Sequence, residues 1–326
     1  MRNLYVTGGR QRTHGFNGDE EWRAFDKALI VRLDTEGANG EICVEYESPT
    51  EARAHDKASI CFKCGTLLGN RFYACTSTEV LIYEVPGFRR VGYVSLPCFN
   101  DLHHVVPTPE GTLMAVSTGL EMVVEFTDKG KVLQQWNVLG EDPWGRFSPE
   151  TDYRKVITTK PYKAHANFVF WIEKNIWVTR CDLKDAISLS QLGARIDIGI
   201  QYVHDGLLSG EWLYFTTVDG KLVIVNPETL KIDEVIDLTR IDNHDEMLLG
   251  FCRGVLMMDA TRGWIGFTRV RKTKFKEKIL WAKQGFRQRE KPTHIALYDI
   301  VKKRCLREID LEQYGVNAVF SILPAI

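Results

Sequence analysis

The sequence predicts an all-β fold, a six-bladed β-propeller of four-stranded blades, on three observations. Short runs rich in Val, Ile, Phe, Tyr and Trp are broken roughly every eight to twelve residues by Gly, Pro, Asn or Asp, which is typical of β-strands joined by turns. Most of these runs fall into successive groups of four, and long helical periodicity is nearly absent. A histidine stands at or before the start of each complete group.

Five complete groups follow one another along the chain. The group after His55 reads ASICFKCG, RFYACTST, EVLIYEVP and RRVGYVSL. The group after His104 reads VVPTPEG, TLMAVSTG, MVVEFTDKG and KVLQQWNV. His165 opens ANFVFWIEK, NIWVTRC, DAISLSQL and ARIDIGI, and His204 opens DGLLSG, WLYFTTVDG, KLVIVNPETL and KIDEVIDL. His244 opens the last group, DEMLLGFCRG, VLMMDAT, HIALYDIV and CLREIDL.

The two ends of the chain supply the sixth blade. Three strands come from NLYVTGG, KALIVRLD and ICVEYES, and the fourth comes from VNAVFSILP near the C-terminus. A ring closed in this way leaves no exposed sheet edge. A different grouping would give five or seven blades, whereas a pair of β-sandwiches would not explain a repeat of roughly 40 to 60 residues. We therefore expect one propeller domain over residues 1–326.

The composition excludes several classes of protein. With 44% hydrophobic and 26% charged residues, the chain lies far from disordered proteins. Its 42 Lys and Arg balance 43 Asp and Glu, so duplex DNA or an anionic membrane is not expected as a global partner. No apolar run approaches the roughly 18 to 20 residues of a membrane span, and no signal peptide is recognisable. Eight cysteines, mostly in apolar segments, are typical of free thiols and predict a cytoplasmic protein.

Histidines recur at equivalent points of the predicted blades. The first strand of a propeller blade lines the central channel, and five blades of six carry an imidazole at or just before that strand. The residues expected to converge on the axis are His55, His104, His165, His204 and His244, with His103 as an alternative to His104. Because the chain has only eight histidines, five equivalent placements would be a rare coincidence.

Three or four converging imidazoles would bind a transition metal. Neutral imidazole suits iron, zinc, manganese, copper or nickel better than calcium or magnesium. The sequence thus predicts a transition-metal cofactor, with Fe(II) preferred, and an incomplete ligand sphere would leave a position for water or substrate. Two other interpretations stay open, because the histidines could tie neighbouring blades together by hydrogen bonds, or one could act in catalysis without a metal.

Long insertions are expected near residues 9–26, 139–164 and 262–293, on the same face of the ring as the histidines. The last of them contains eleven Lys or Arg and two Glu. A basic lid would bind a small anionic substrate, although a solvated helix or a nucleic-acid-binding arm would have the same composition. The residues predicted to bind substrate are Trp144, Arg269, Arg271, Lys272 and Trp281.

The predicted function is that of a metal-dependent enzyme with lyase, isomerase or oxygenase chemistry on a small anionic substrate. No P-loop, dinucleotide fingerprint, nucleophile elbow or HExxH motif points to another reaction class. Candidate acid and base groups near the mouth of the channel are Asp56, Lys57, Asp101, Lys163, Tyr202, Asp205 and Glu246. An alternative is a non-enzymatic propeller that binds proteins or sugars through the same face.

One segment, LHHVVPTPEGTLMAVSTGLEMVVEFTDKGKVLQQW from Leu102 to Trp136, resembles a blade of the six-bladed propellers grouped around arylsulfotransferases, NHL repeats and SMP-30/gluconolactonase enzymes. The shared features are the His-rich strand entry, the Pro-Glu-Gly turn, the short strand and the hairpin that follows. The resemblance implies a propeller fold. Through the arylsulfotransferases it also implies metal-free transfer by an axial histidine, whereas SMP-30-like enzymes hold a metal with carboxylates and Asn rather than a ring of histidines.

Overall fold

Six four-stranded antiparallel sheets surround a common axis in the computed structural model, which describes residues 2–13, 24–37, 39–243, 247–270 and 289–326. The predicted six-bladed β-propeller is therefore confirmed, together with the grouping of the strands into blades, except for the first strand of blade 2 and the first two strands of blade 6. In the described part of the chain, no helix has the length and apolar character that crossing a bilayer requires.

Each blade runs from an innermost strand at the axis to an outermost strand. Blade 1 joins both chain ends and is ordered β24 (Ala318–Pro324), β1 (Asn3–Gln11), β2 (Phe25–Asp34) and β3 (Asn39–Tyr46). Blade 2 contains β4 (Thr66–Leu68), β5 (Arg71–Cys75), β6 (Val80–Glu84) and β7 (Arg89–Val94). Blade 3 contains β8 (Leu102–Pro107), β9 (Leu113–Ser117), β10 (Met122–Phe126) and β11 (Val132–Asn137).

The remaining blades follow the same order. Blade 4 contains β12 (Ala166–Ile172), β13 (Asn175–Arg180), β14 (Asp185–Ser188) and β15 (Arg195–Asp197). Blade 5 contains β16 (Val203–Ser209), β17 (Trp212–Thr217), β18 (Lys221–Asn226) and β19 (Lys231–Asp237). Blade 6 contains β20 (Phe251–Met257), β21 (Arg262–Thr268), β22 (His294–Asp299) and β23 (Arg304–Asp310). Short 3-10 helices lie at Thr50–Ala52, Thr118–Leu120, Tyr153–Lys155, Leu238–Arg240 and Glu312–Tyr314.

The inner strands are apolar because neighbouring blades pack against both of their faces. All five residues of β9 are buried, as are four of the five in β6. The outermost strands β7 and β11 expose most of their residues and are correspondingly polar. Clusters of buried aliphatic and aromatic side chains fill the spaces between blades, and the indoles of Trp177 and Trp264 are almost fully buried there. This burial is the main force that holds the ring together.

Strand β24 closes the ring. It pairs with β1 in antiparallel register from Leu4 opposite Pro324 to Gly9 opposite Ala318. The innermost strands β24, β4, β8, β12, β16 and β20 then contact one another in turn around the axis. Closure in this manner pairs β1 on its inner side and holds both chain ends in one sheet.

β-Bulges interrupt the innermost strands of five blades. One residue is inserted relative to the neighbouring strand at His103 in β8, Asn167 in β12 and Phe320 in β24. In β16 and β20, Asp205–Gly206 and Arg253–Gly254 each lie opposite a single residue of the neighbouring strand, so one residue is inserted there as well. A bulge changes the direction in which nearby side chains point, and bulges are frequent next to active sites.

Two predicted strand boundaries are wrong. The predicted break at Gly254 does not occur, because β20 continues through a bulge there and turns only after Met257. Gly254 has a φ of +84°, and a Cβ atom would lie 3.3 Å from the carbonyl oxygen of Phe320, so this glycine permits a close approach of blade 1. The second strand of this blade, β21, then occupies residues 262–268. These residues were predicted to begin the third insertion, so its first seven residues form a strand and not a loop.

The predicted first strand of blade 2 is also irregular. The segment 60–64 donates its backbone N–H groups to four different places: Ile60 to Phe25, Phe62 to Gly8, Lys63 to Cys75 and Cys64 to His103. A regular ladder to one neighbour is therefore confined to the three residues of β4.

Candidate active site in the axial cavity

A cavity of about 430 Å³ lies at one end of the axis, and all six blades contribute to its lining. The bulged residues His103, Arg253 and Phe320 line it, together with Lys63 and His204 from the other innermost segments. Residues of the connection between blades 3 and 4, including Arg154, Ile157, Lys160 and Tyr162, form part of its wall.

Five cationic side chains and two carboxylates line this cavity among the described residues. The cations are Arg53, Lys63, Arg154, Lys160 and Arg253, and the carboxylates are Asp101 and Asp182. Two of the cations are neutralised from outside the cavity, because Arg53 pairs with Glu47 and Arg154 pairs with Asp152 through two hydrogen bonds. The cavity still has an excess of positive charge and so attracts anions.

Lys63, Asp101 and Tyr162 form a hydrogen-bonded network in the cavity wall. The Lys63 Nζ atom lies 2.9 Å from Asp101 Oδ1, and the Tyr162 hydroxyl donates to Asp101 Oδ2 at 2.8 Å. Burial opposes ionisation of both side chains, but the attraction between their opposite charges is stronger. Lys63 therefore holds the pKa of Asp101 well below its usual range, and Asp101 raises the pKa of Lys63. Asp101 is therefore a carboxylate that positions its neighbours and is a poor proton donor.

His103 is a buried neutral imidazole with a defined tautomer. Burial, reinforced by the charge of Lys63, lowers its pKa well below the ordinary value. Its Nδ1 atom lies 2.8 Å from both the carbonyl oxygen of Asp101 and the hydroxyl oxygen of Thr118, and that hydroxyl donates its own proton to Ala166. Nδ1 must therefore carry the hydrogen, which leaves the lone pair on Nε2.

His165 occupies the centre of a cluster of chemically reactive groups. Its ring lies edge-on to the rings of His103 and Tyr162, at centroid distances of 5.3 and 5.2 Å. Its Nδ1 atom is 3.4 Å from Asp182 Oδ1. One ligand atom each from His165, Cys181 and Asp182 lies within 4.8 Å of the others, and Cys181 Sγ is 3.9 Å from His204 Nε2. Imidazole, thiolate and carboxylate at these separations are a donor set for a transition metal.

Glu121 fixes the segment that carries His165. This buried carboxylate accepts backbone N–H groups from Lys163 at 2.5 Å, Ala164 at 2.8 Å and His165 at 3.5 Å through Oε1. Arg146 lies 3.5 Å from the other carboxylate oxygen and supplies a counter-charge. His165 has a φ of +53°, a left-handed conformation that non-glycine residues seldom adopt, and the three hydrogen bonds stabilise it.

The predicted ring of five histidines does not converge on one point among the described residues. His165 and His204 line the cavity, and His55 lies at its edge, where its Nδ1 accepts the Lys57 N–H. The prediction that His104 faces the axis is wrong. Its ring stacks on Phe168 between the blades, at a centroid distance of 3.8 Å, and its Nδ1 atom accepts the Val169 N–H. His103 lines the cavity instead. The bulge at His103 reverses which of the two neighbours faces the axis. His244 lies outside the described residues.

The predicted acid and base groups are also dispersed. Asp101 and Tyr202 line the cavity. Asp205 is buried behind the wall, where its Oδ2 accepts from the Thr216 hydroxyl at 2.5 Å and the Gly254 N–H at 3.0 Å, so it ties blade 5 to blade 6. Three further candidates are exposed and do not line the cavity: Asp56, Lys57 and Lys163. Glu246 lies outside the described residues.

The two predicted substrate-binding residues that the structure describes, Trp144 and Arg269, do not line the cavity. Trp144 packs against the apolar cluster between blades 2 and 3, and its indole N–H donates to Gln135 at 3.1 Å. Arg269 is engaged by Glu312, with Nε 2.8 Å from the carboxylate. These two assignments are corrected because local partners hold both side chains elsewhere. Arg271, Lys272 and Trp281 lie outside the described residues.

Sequence reasoning missed Lys63, Tyr162, Cys181, Asp182 and Arg253. For Lys63 and Arg253 a signal exists, since each is the single charged residue in an apolar innermost segment, ICFKCG and GFCRGV. A charge at such a position must be paired or must face a polar cavity. Cys181 and Asp182 directly follow the second strand of blade 4, and only the folded structure brings them to His165.

Comparisons with known proteins support the fold and leave the function open. No family model matches the sequence, and no curated protein matches it. A protein of unknown function from Bacteroides caccae is similar over 100% of this chain and 99% of that chain, with 12% identity and a TM-score of 0.64. Virginiamycin B lyase from Staphylococcus aureus is similar over 80% of each chain, with 13% identity and a TM-score of 0.47.

A further structural neighbour is the dihydro-heme d1 dehydrogenase NirN, at 11% identity and a TM-score of 0.44 over 94% of this chain and 53% of that one. The neighbours thus include enzymes, but these likenesses are too distant to carry a functional argument. The likeness to the Bacteroides caccae protein supports the propeller fold, and none of the comparisons singles out the arylsulfotransferase, NHL or SMP-30 groups.

We predict that acid destabilises the protein through buried neutral histidines. Burial lowers the pKa of His104 to about 3 and also lowers the pKa of His294. Below the ordinary pKa of about 6.5, the unfolded chain binds protons that the folded protein excludes, so each such histidine should cost about 1.4 kcal/mol of stability per pH unit until its folded-state pKa is reached. Urea denaturation at pH 7 and pH 5 measures this. An equal free energy of unfolding at pH 7 and pH 5 would contradict the prediction. So would a His104→Gln variant whose free energy of unfolding falls between these pH values as steeply as that of the wild type.

Proposed function

We propose that the protein is an enzyme that acts on a small anionic substrate in the axial cavity, with a transition metal bound by His165, Cys181 and Asp182. The observation that carries the proposal is the clustering of three different ligand atoms within 4.8 Å of one another at this cavity. Ion-pair networks alone would not require a thiol beside an imidazole and a carboxylate. The excess of cationic side chains around the cavity supports an anionic substrate.

The chemistry of the donor set fits a divalent ion. A thiolate and a carboxylate would neutralise its two charges, and Fe(II) and Zn(II) both accept nitrogen, sulfur and oxygen ligands. Three protein ligands leave coordination positions open, as in catalytic rather than structural sites. When bound, such an ion acts as a Lewis acid that polarises a substrate oxygen or acidifies a bound water.

The other residues of the cavity have roles that follow from their protonation. Neutral His103, with its lone pair on Nε2, is suited to accept a hydrogen bond from the substrate, because the burial that lowers its pKa makes it a weak base. Lys63 remains charged beside Asp101 and is suited to stabilise a developing negative charge. Together they are suited to orient the substrate and to stabilise negative charge that develops on it, which lyase and isomerase reactions require.

Metal analysis of the purified protein tests this proposal. We expect about one transition-metal ion per chain by elemental analysis, and a loss of at least tenfold in occupancy in His165→Ala and in Cys181→Ser. The matched controls are His55→Ala, which removes a cavity histidine outside the cluster, and Cys43→Ser, which removes a thiol far from it. Both controls should retain the metal. A metal-free protein, or equal losses in controls and cluster variants, would overturn the proposal.

A second candidate is group transfer through His165 without a metal. The 3.4 Å approach of Asp182 to His165 Nδ1 favours it, because a carboxylate at one ring nitrogen orients the imidazole and makes the other nitrogen more nucleophilic. Transfer of a sulfuryl group from an aryl sulfate would leave a phenol and a covalently sulfated His165. Intact mass spectrometry of the metal-free protein after exposure to an aryl sulfate should then show the added mass, and no addition would exclude this candidate.

A further inference from the structure

Arg253 lines the cavity, and the side chains that its guanidinium contacts among the described residues carry no negative charge. It donates a hydrogen bond to His204 Nε2, and its Cζ atom lies 4.8 Å from the centre of the Phe320 ring. Within the described ranges, no carboxylate lies within the 4.0 Å that defines an ion pair with this guanidinium. An imidazole supplies no negative charge, so His204 does not neutralise this guanidinium.

The nearby carboxylates are already engaged. Asp101 is held by Lys63 and by the Tyr162 hydroxyl. Asp205 interacts electrostatically with Arg253 but forms no ion pair with it, and accepts hydrogen bonds from Thr216 and Gly254 behind the wall. The guanidinium is therefore half-buried in a wall of the cavity with a full positive charge and with donors available beyond the one directed at His204. Retaining an incompletely compensated charge at such a position has a cost, which an anionic ligand would offset.

The surroundings restrict what that anion can be. One guanidinium without a carboxylate partner matches one negative charge, and its planar fork of N–H groups matches two coplanar oxygens. The Phe320 ring also contacts a second cation, with Lys63 Nζ 5.2 Å from its centre, and Phe251 lines the same cavity. These aromatic faces suit the hydrocarbon part of a ligand rather than further charge.

We propose that Arg253 is the anchor for a monocarboxylate, so that the substrates of this site are small carboxylic acids with an apolar or aromatic body. The inference rests on the proposed function above and specifies its substrate class. It places the carboxylate at Arg253 and Phe320, on the wall formed by blades 6 and 1. Lys63 and His103 line the same cavity as Arg253.

Binding of benzoate to the metal-stripped protein tests this inference separately from the metal proposal. Isothermal titration calorimetry should show benzoate binding to the wild type and about 10- to 100-fold weaker binding to Arg253→Gln, the loss expected for charge-assisted hydrogen bonds. Arg253→Lys keeps the charge but loses the fork, and should fall between the two. Arg154→Gln is the matched control, since that arginine lines the same cavity but is paired with Asp152, and its affinity for benzoate should be unchanged.

Inorganic phosphate is the comparison ligand. Phosphate binding tighter than benzoate binding would overturn the carboxylate assignment, as would equal benzoate affinities of wild type and Arg253→Gln, or no benzoate binding at all. If Arg253→Gln does not fold, Arg253→Lys decides between the same outcomes. Metal content is measured on the same samples before stripping. If the purified protein contains no metal but binds benzoate through Arg253, the carboxylate inference holds and the metal proposal is wrong. If it contains the metal but does not bind benzoate, the metal proposal holds and the carboxylate inference is wrong.

Discussion

Deleting residues 318–326 is expected to abolish cooperative folding. These residues form β24, the innermost strand of blade 1, which pairs with β1 and contacts the innermost strands of blades 2 and 6. The deletion would remove the buried side chains of Val319 and Ile322 and the hydrogen bond of 2.7 Å between Ser321 and Thr7, and would leave β1 with an unpaired edge at the centre of the ring. We expect insoluble protein or a chain without a sigmoidal urea transition.

A shorter deletion provides the control. Removing residues 325–326 leaves β24 intact and, among the described residues, breaks the hydrogen bonds from Ala325 N–H to Asn3 and from the Tyr5 hydroxyl to Ile326. This variant should fold with a free energy of unfolding within about 1 to 2 kcal/mol of the full chain. If the longer deletion unfolded as cooperatively as the shorter one, the closure of the ring by β24 would be refuted.

Replacing Asp101 by Asn is expected to have the second-largest effect on stability. The change keeps the size of the side chain, and Asn tolerates the left-handed φ of +51° at this position. It removes the negative charge that compensates Lys63, whose side chain is only 11% exposed. Removing one partner of a buried ion pair costs roughly 3 kcal/mol, because the other charge stays buried. Urea denaturation at pH 7 should show this loss.

A double-mutant cycle separates the loss of the pair from a general disturbance of the cavity. Lys63→Met removes the charge and keeps the length of the side chain, so the combination with Asp101→Asn should recover more than half of the stability that Asp101→Asn loses. Additive losses in the double variant would show that the two residues do not act as a pair.

The architecture could be predicted from the sequence because it depends on repetition. Each blade requires four short strands, and inner strands such as β9 and β18 are buried on both faces, which makes them continuous apolar runs. The runs therefore stand out wherever the same pattern returns. The boundary at Gly254 could not be read correctly because a glycine in a turn and a glycine in a bulge look alike in a sequence.

The candidate site could be predicted only in part, and the bulges explain why. Successive side chains of a strand point to opposite sides, so the alternation determines which of two neighbouring residues faces the axis. A residue inserted by a bulge shifts this alternation by one and turns the other neighbour to the axis. His104 was assigned to the axis, whereas the bulge turns His103 there and leaves His104 stacked on Phe168. The same irregularity presents Arg253 to the cavity, and Cys181 and Asp182 meet His165 only through the fold of blade 4.

The most direct test of the central claim is an X-ray diffraction experiment that records anomalous scattering from crystals of the protein as purified. The account predicts a single strong anomalous peak in the axial cavity, bonded to His165, Cys181 and Asp182 at distances of about 2.0 to 2.3 Å. No peak in the cavity, or a peak held by other residues with the side chains of this cluster turned away from it, would contradict the account.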